Sequence, residues 1–503
     1  MNDVTVSVSH GSLRGREGDG VVAFLGVPYA APPFGRLRMR PPQPPIPWSG
    51  PRDATVPGAT APQPGYGPAM ADLLEAAGPQ GEDCLNLNVW TPAPGRAGER
   101  LPVMVFLHGG AFRNGAGSLA LYDGSRLAAD GVVCVTLNYR LGAEGFLLLP
   151  DGTANLGLLD QIAALRWVRD NVAAFGGDPD NVTVFGQSAG AISVTALMTM
   201  PAARGLFRRA ITQSGAGHHV HTPAVGRRIT ERIAALAGVP CTREALAAVP
   251  PEALVAADAE LGREIALSPQ PFQWGESAGG GTTVLPVVDG ATLPARPVDA
   301  IAAGAGAEIG LMTGTTSDEF RLFAVPMGIT RRIDDTALGG FLTGLGLPPE
   351  EAHAVYTAAA GAGAGPGDVF SDVMTDHGYR IPALRVTEHR ARHGADTYVY
   401  EFARASRAAG GALGACHMAE LPFVFGTLDA SPEDRQPGAQ ALSEQMRAAW
   451  ISFAHRGRPA PPHGARTWRP YAPDRTVLRI GEAAAEEVHD PASARRRLWE
   501  GRR

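Results

Sequence analysis

The chain has no lysine: its 44 Lys+Arg residues are all arginine. With Ala, Gly and Pro so frequent, codon bias is the ordinary source of that absence, yet it has chemical content. It excludes a lysine Schiff base, a Ser–Lys dyad and a P-loop lysine. A basic excess is also missing. The net charge is −6, so no positive field gathers nucleic acid or anionic lipid, and neither a nucleic-acid nor a membrane partner is expected. Cysteine is scarce. Cys84, Cys134, Cys241 and Cys416 form no C-x-x-C pair and no Cys/His spacing typical of zinc, so no metal is expected. No apolar stretch approaches the length that spans a bilayer. No charged-then-apolar leader opens the chain. The expectation is a soluble, reduced, cytoplasmic protein, monomer or homodimer.

What is present is globular. The hydrophobic fraction of 45% is ordinary, and 503 residues bury a core that needs no disulfides or metals. No internal repeat and no clear linker divides the chain, so one domain over 1–503 with large insertions is the simpler expectation. Asp3–Val8 alternates with period two and predicts an edge strand. Pro28 to Pro51 reads as a Pro-rich surface stretch. Residues 57–80 read as a long surface loop with a helical patch near 71–77. Continuous apolar runs at Leu101–Leu107 and Val132–Leu137 suit strands buried on both faces. Leu158, Ile162, Leu165, Val168 and Val172 recur at helical spacing. Val182–Phe185, Arg209–Gln213, Ile309–Thr313, Tyr398–Phe402 and a closing Thr476–Ile480 predict further strands. Residues 191–200, 223–270 and 440–454 predict helices, and 359–367 an Ala/Gly loop. The alternation predicts an α/β fold, a central mostly parallel sheet with helices on both faces.

Gly186-Gln187-Ser188-Ala189-Gly190 has the G-x-S-x-G pattern of a nucleophile elbow, a tight turn that stands a serine above a sheet at a helix N-terminus. The pattern alone is weak among 63 glycines, and it recurs at Gly275-Glu276-Ser277-Ala278-Gly279. Context separates the copies. Ser188 follows a predicted strand and precedes a helix-forming run, whereas Ser277 follows Ser268-Pro269-Gln270-Pro271 and precedes Gly280-Gly281, which suits a loop serine. His108-Gly109-Gly110-Ala111-Phe112 follows a strand directly. Its glycines let backbone N–H groups face a substrate oxygen. The N–H groups of Gly109, Gly110 and Ala189 are therefore candidate oxyanion donors, and losing one such donor costs about 3–4 kcal/mol of transition-state stabilisation.

These segments resemble the type-B carboxylesterases, the group of the cholinesterases and bacterial para-nitrobenzyl esterases. The resemblance extends to Phe24–Ala30, to Glu82-Asp83-Cys84-Leu85-Asn86-Leu87-Asn88-Val89, and to Phe175–Pro179 followed by Val182–Gly190. It implies an α/β-hydrolase fold with large insertions, no cofactor, and a small-molecule ester as substrate. It also supplies partners for Ser188. The family acid lies in a stretch matched by Gly314-Thr315-Thr316-Ser317-Asp318-Glu319, which makes Glu319 the acid. The family base precedes a stretch matched by Glu420-Leu421-Pro422-Phe423-Val424-Phe425, which makes His417 the base. The chain order Ser188, Glu319, His417 is the α/β-hydrolase order. Residue chemistry alone does not choose among 13 histidines, and His218, His219 and His221 form a tempting cluster. By the resemblance His218, His219 and Phe112 are candidates for lining the pocket.

The chain departs from the family at Gln187, where Glu is common. No cysteine precedes Cys84, so it is expected as a free thiol. Cys416 abuts the expected base. By resemblance Arg38 is expected to pair with Glu82. The primary expectation is a serine carboxylesterase. The same residues leave open carbamate, lactone or amide hydrolysis or acyl transfer, because the pocket selects the acyl group and its acceptor. A non-catalytic scaffold of this fold typically lacks the serine, which is present here. With a histidine as general base, activity is expected to rise with pH through a single ionisation. A kcat/KM profile taken from about pH 5 to 8 that stays flat contradicts a histidine base.

Overall fold

A computed structural model describes residues 3–279, 282–361, 363–430, 437–482 and 484–502. The backbone groups into two units. One comprises Met1–Ile211 with Gly217–Ile309, the other Thr212–Ala216 with Gly310–Arg503.

In the first unit, β1 (Asp3–Val8), β2 (Gly11–Gly18) and β3 (Val21–Pro28) form an antiparallel meander, with β4 (Pro51–Asp53) parallel to β2. The meander continues antiparallel through β5 (Asn86–Thr91) to β7 (Val133–Leu137). There the sheet turns parallel: β6 (Leu101–Leu107) lies between β7 and β8 (Gly177–Gln187). Val103–Leu107 and Val133–Leu137 are buried throughout, which explains why these strands read as apolar runs, broken only at Thr136. Phe106 packs on Tyr122 and Phe185 at ring separations of 4.7 and 4.9 Å. The helices Leu156–Asn171 and Ala189–Leu197 cover this part of the sheet. The second is wholly buried, with only Ser193 and Thr195 polar along it. Helices Pro223–Leu236, Arg243–Ala248 and Pro251–Leu267 occupy the segment expected to be helical.

In the second unit, β10 (Gly310–Thr316), β11 (Thr397–Phe402) and β12 (Thr476–Ile480) pair in parallel. The expected closing strand is not the last: β13 (Ala485–His489) folds back antiparallel on β12. It reads Ala-Glu-Glu-Val-His with only its first residue buried, so it has no apolar alternation to betray it. Four helices between Asp335 and Arg392 enclose a separate core of Leu338, Leu342, Tyr356, Val369, Val373 and Trp499. A single π-helical turn, Asp376–Arg380, interrupts the last two. Residues 359–360, expected in a loop, end the helix Pro349–Ala360, and Pro366 begins the next. Ala362 lies outside the described residues. The strand β9 (Arg209–Gln213) begins in the first unit and ends in the second. Among the described residues no helix is long and apolar enough to cross a membrane.

Two buried guanidinium groups define the polar interior of the first unit. Arg38 does not pair with Glu82, which is exposed. Its Nε donates to Glu144 at 3.0 Å and its Nη1 to the carbonyl of Ala247 at 2.9 Å. The reason is solvation: a guanidinium this deeply buried requires a carboxylate that is also buried, and Glu144 is 4% exposed. Arg140 is fully buried with Asp160. The pair makes bonds of 2.6 and 2.8 Å, and the Arg140 backbone N–H adds a third at 3.1 Å. This ties the end of β7 to the helix Leu156–Asn171. Arg140→Met alone, by stranding a buried carboxylate, is expected to lower the unfolding free energy by about 3–5 kcal/mol. Arg140→Met with Asp160→Leu should recover most of that in urea denaturation. An equal loss in the single and double variants contradicts this.

Candidate active site

At the end of β8 the chain reverses into the helix Ala189–Leu197 through Ser188, held at φ 56° and ψ −122°. No L-residue adopts this readily, so the neighbours must enforce it. Gly190 sits so close to β6 that a Cβ there would fall 1.9 Å from the Leu107 carbonyl oxygen. A Cβ on Gly186 would fall 2.6 Å from Gly190. Only glycine fits at both positions. Ser188 is partly exposed between buried Gln187 and Ala189. It stands at a helix N-terminus, where unpaired N–H groups favour negative charge.

The glycine loop after β6 lies against this turn. A Cβ on Gly109 would fall 2.7 Å from Gln187 Oε1 and 3.1 Å from Ser188 Cβ. The structure thus brings Gly109 and Ser188 together from segments far apart in the sequence. The loop is strained: Gly110, Ala111 and Phe112 have φ of 110°, 57° and 58°. Several contacts hold it. Gln63, from the long 57–80 segment, grips the backbone of Gly115 in both directions, accepting from its N–H at 2.8 Å and donating to its carbonyl at 3.1 Å. Tyr139 donates to the His108 carbonyl at 2.8 Å and stacks on its ring at 4.5 Å. Burial pushes the His108 imidazole down to about 4, so it is neutral there. Phe112 is fully buried with its ring 4.6 Å from Phe146, and its carbonyl accepts from Gly142 N–H at 2.7 Å.

In the second unit Glu319 and His417 meet. Glu319 Oε2 lies 2.6 Å from His417 Nδ1, with the carboxyl fully buried and the imidazole 3% exposed. A carboxylate only accepts, so Nδ1 carries the proton and Nε2 presents its lone pair. The other oxygen, Oε1, accepts from the Thr316 backbone N–H at 2.8 Å. Asp318 holds the histidine loop. Its Oδ2 accepts from the Ala415 N–H at 2.9 Å and from the Ser317 hydroxyl at 2.7 Å, and its own N–H donates to the Ala415 carbonyl at 2.9 Å. Phe323 and Tyr379 flank the imidazole with ring centroids at 5.4 and 4.8 Å. Tyr379 is carried by the π-helical turn, a distortion common at functional sites. Its position had no signal in the sequence. Glu420 opens the stretch that follows the expected base. It is fully buried, its carboxyl pushed up to about 7 by burial and then by Glu319, and it accepts from Gln213 Nε2 at 3.1 Å.

The second serine motif is not a loop. Gly275–Gly279 forms a 3-10 turn and Ser277 is fully buried. Ser277 Oγ donates to the Thr283 carbonyl at 3.1 Å and lies 3.1 Å from His221 Nε2. Its only proton goes to the carbonyl, so the histidine N–H donates to Ser277 and cannot act as its base. Burial pushes His221 down to about 4. Of the neighbouring histidines, His218 is buried and His219 half-buried. The four cysteines are all described and form no disulfide. Cys84 is a buried free thiol, raised by burial. Among the described residues no His/Cys/Asp/Glu group could hold a metal ion.

A family model described as the carboxylesterase family matches residues 2–499. The chain is 38% identical to the para-nitrobenzyl esterase of Bacillus subtilis, covering 99% of this chain and 98% of that one. It is 36% identical to the phenmedipham hydrolase of Pseudarthrobacter oxydans, covering 97% and 98%. Among solved structures, a Geobacillus stearothermophilus carboxylesterase superposes with a TM-score of 0.86 at 37% identity, covering 98% of this chain and 99% of that one.

The His221–Ser277 pair has a consequence for stability. A histidine whose folded value is depressed takes up its proton first in the unfolded chain. Stability is therefore full above the unfolded value of about 6.5 and falls as pH drops toward the folded value of about 4. The full span is worth on the order of 3 kcal/mol. His221→Gln keeps a neutral N–H donor for Ser277. Urea denaturation at neutral pH and near pH 4 should show a smaller acid loss in this variant than in wild type. Equal losses contradict the assignment.

Proposed function

The chain belongs to the carboxylesterase family, with its α/β-hydrolase fold, and from that premise we propose that it hydrolyses carboxylic esters through an acyl-enzyme on Ser188. His417 is the general base and Glu319 the acid, and the N–H groups of Gly109, Gly110 and Ala189 receive the developing oxyanion. The observation that carries this reading is the serine at φ 56° with Gly109 packed against it.

The chemistry follows from the roles. Ser188 Oγ attacks the ester carbonyl while His417 Nε2 takes its proton. The carbonyl oxygen becomes an oxyanion facing the glycine-loop and helix N–H donors. Collapse of that adduct expels the alcohol, which receives the proton from His417. Water then attacks the acyl-enzyme by the same route and releases the acid. Glu319, 2.6 Å from Nδ1, orients the imidazole and stabilises its charged form. The substrate is a small-molecule ester.

The same reading takes residues 1–503 as one α/β-hydrolase domain, supported by a single family model matched from residue 2 to 499. It also places the enzyme in a reducing cytoplasm, supported by the unpaired thiols of Cys84 and Cys134.

A fluorophosphonate probe is expected to label the wild type and to leave Ser188→Ala unlabelled. Glu319→Gln, which removes the acceptor for Nδ1–H, should lower kcat by about 10⁴-fold. A Ser188→Ala enzyme that labels and turns over nitrophenyl esters at the wild-type rate contradicts the assignment.

A further inference from the structure

The second serine motif has no role in the reaction, yet its residues head a chain of polar contacts, buried up to Asp258, that ends in the glycine loop. His221 is held at both backbone ends, its N–H on the Pro286 carbonyl at 2.8 Å and its own carbonyl accepting from Val288 at 2.9 Å. Its ring nitrogen Nε2 meets Ser277 Oγ, and Ser277 bonds the carbonyl of Thr283. The Thr283 hydroxyl donates to Asp258 Oδ1, and Asp258 Oδ2 accepts from Arg113 Nε at 2.8 Å. Arg113 then closes the loop, its backbone N–H donating to the Gly110 carbonyl at 3.0 Å. His221, Ser277, Thr283 and Asp258 are each at most 2% exposed.

The loop needs such a tether. Three successive residues, Gly110, Ala111 and Phe112, stand at positive φ. Two of them are not glycine, so the backbone relaxes unless held from outside. Arg113 is the next residue, and its partner Asp258 sits on the helix Pro251–Leu267. A planar guanidinium on a buried carboxylate fixes direction as well as distance.

We propose that Arg113 and Asp258 are positioning residues for the oxyanion donors, with Thr283, Ser277 and His221 as the anchor behind them. The inference rests on the proposed function, since it assigns these residues a purpose only if Gly109 and Gly110 receive the oxyanion. Donors in such a hole act through geometry, and misplacement is felt in the transition state more than in the bound substrate. A residue that only supports the fold changes the amount of active enzyme and its melting temperature. A residue that aims the donors changes kcat and the affinity for a transition-state analogue together.

The test uses the full chain, a nitrophenyl ester as substrate and a trifluoromethyl ketone, whose adduct places an oxyanion in the hole. Enzyme concentration is set by fluorophosphonate titration. Arg113→Met is expected to lower kcat about tenfold and to weaken the ketone by a similar factor, with KM changed less than about twofold. Ser277→Ala, at the far end, should act in the same direction by about threefold. Arg113→Met leaves Asp258 without its partner and risks misfolding. Arg113→Met with Asp258→Asn removes both charges while the amide oxygen still accepts from Thr283. This double variant should melt near wild type and keep the loss in kcat and ketone affinity. If it melts like wild type and both quantities stay within about twofold of wild type, the positioning role is overturned. A rise in KM alone overturns it as well, by making Arg113 a substrate contact. A wild type that hydrolyses the ester but takes no fluorophosphonate overturns the proposed nucleophile and this inference with it. A labelled, ketone-sensitive wild type with unaffected variants overturns this inference alone.

Discussion

Ser188 rests in a backbone conformation that costs on the order of 1–3 kcal/mol, and the centre of the first unit is arranged to impose it. The turn cannot open, because Gly190 is pressed to within a methyl's width of β6 at the Leu107 carbonyl. It cannot slide, because β8 is in register with β6, Phe106 opposite Phe185 and Leu107 opposite Gly186. Nor can it unwind into the following helix, which is buried on every side. The strain is therefore shared by a sheet and a helix whose own packing is ordinary. The return is a partly exposed side chain at the N-terminus of that helix.

Different devices hold the other parts. The glycine loop is strained too, and it is secured by polar contacts rather than by close packing: Gln63 on Gly115, Tyr139 on His108, Arg113 on Asp258. His417 is held by a carboxylate, by backbone bonds that Asp318 organises, and by two aromatic rings. These contacts are buried or half-buried, where polar interactions are strong when satisfied and costly when broken. Glu420 adds a second carboxyl close enough to Glu319 to feel its charge.

How much of this was legible depends on range. The strands expected at Leu101–Leu107 and Val132–Leu137 are local patterns, legible because burial on both faces makes them mostly apolar, and the strand, tight turn and helix around Ser188 are local as well. The association of Glu319 with His417 spans almost a hundred residues and came from family resemblance; 13 histidines offered no physical choice. Arg38 pairs with Glu144 rather than Glu82 because a buried guanidinium selects its partner by depth, and depth at Glu82 and Glu144 is not written locally. The Pro and Gly around Ser277 suit a loop serine. Its burial depends on His221 and Thr283, contacts that no pattern around the serine announces. Gln63 and Tyr379 leave no local signal for the same reason: each acts on a backbone or ring far away in sequence.

The central claim is that an acyl group passes through Ser188, and chemical quench with peptide mass mapping tests it most directly. Wild-type enzyme mixed with excess nitrophenyl ester and quenched in acid during turnover should carry one acyl group, on the peptide that contains Ser188. Acyl found on the Ser277 peptide instead, or steady turnover with no acyl-peptide at any quench time, contradicts the account.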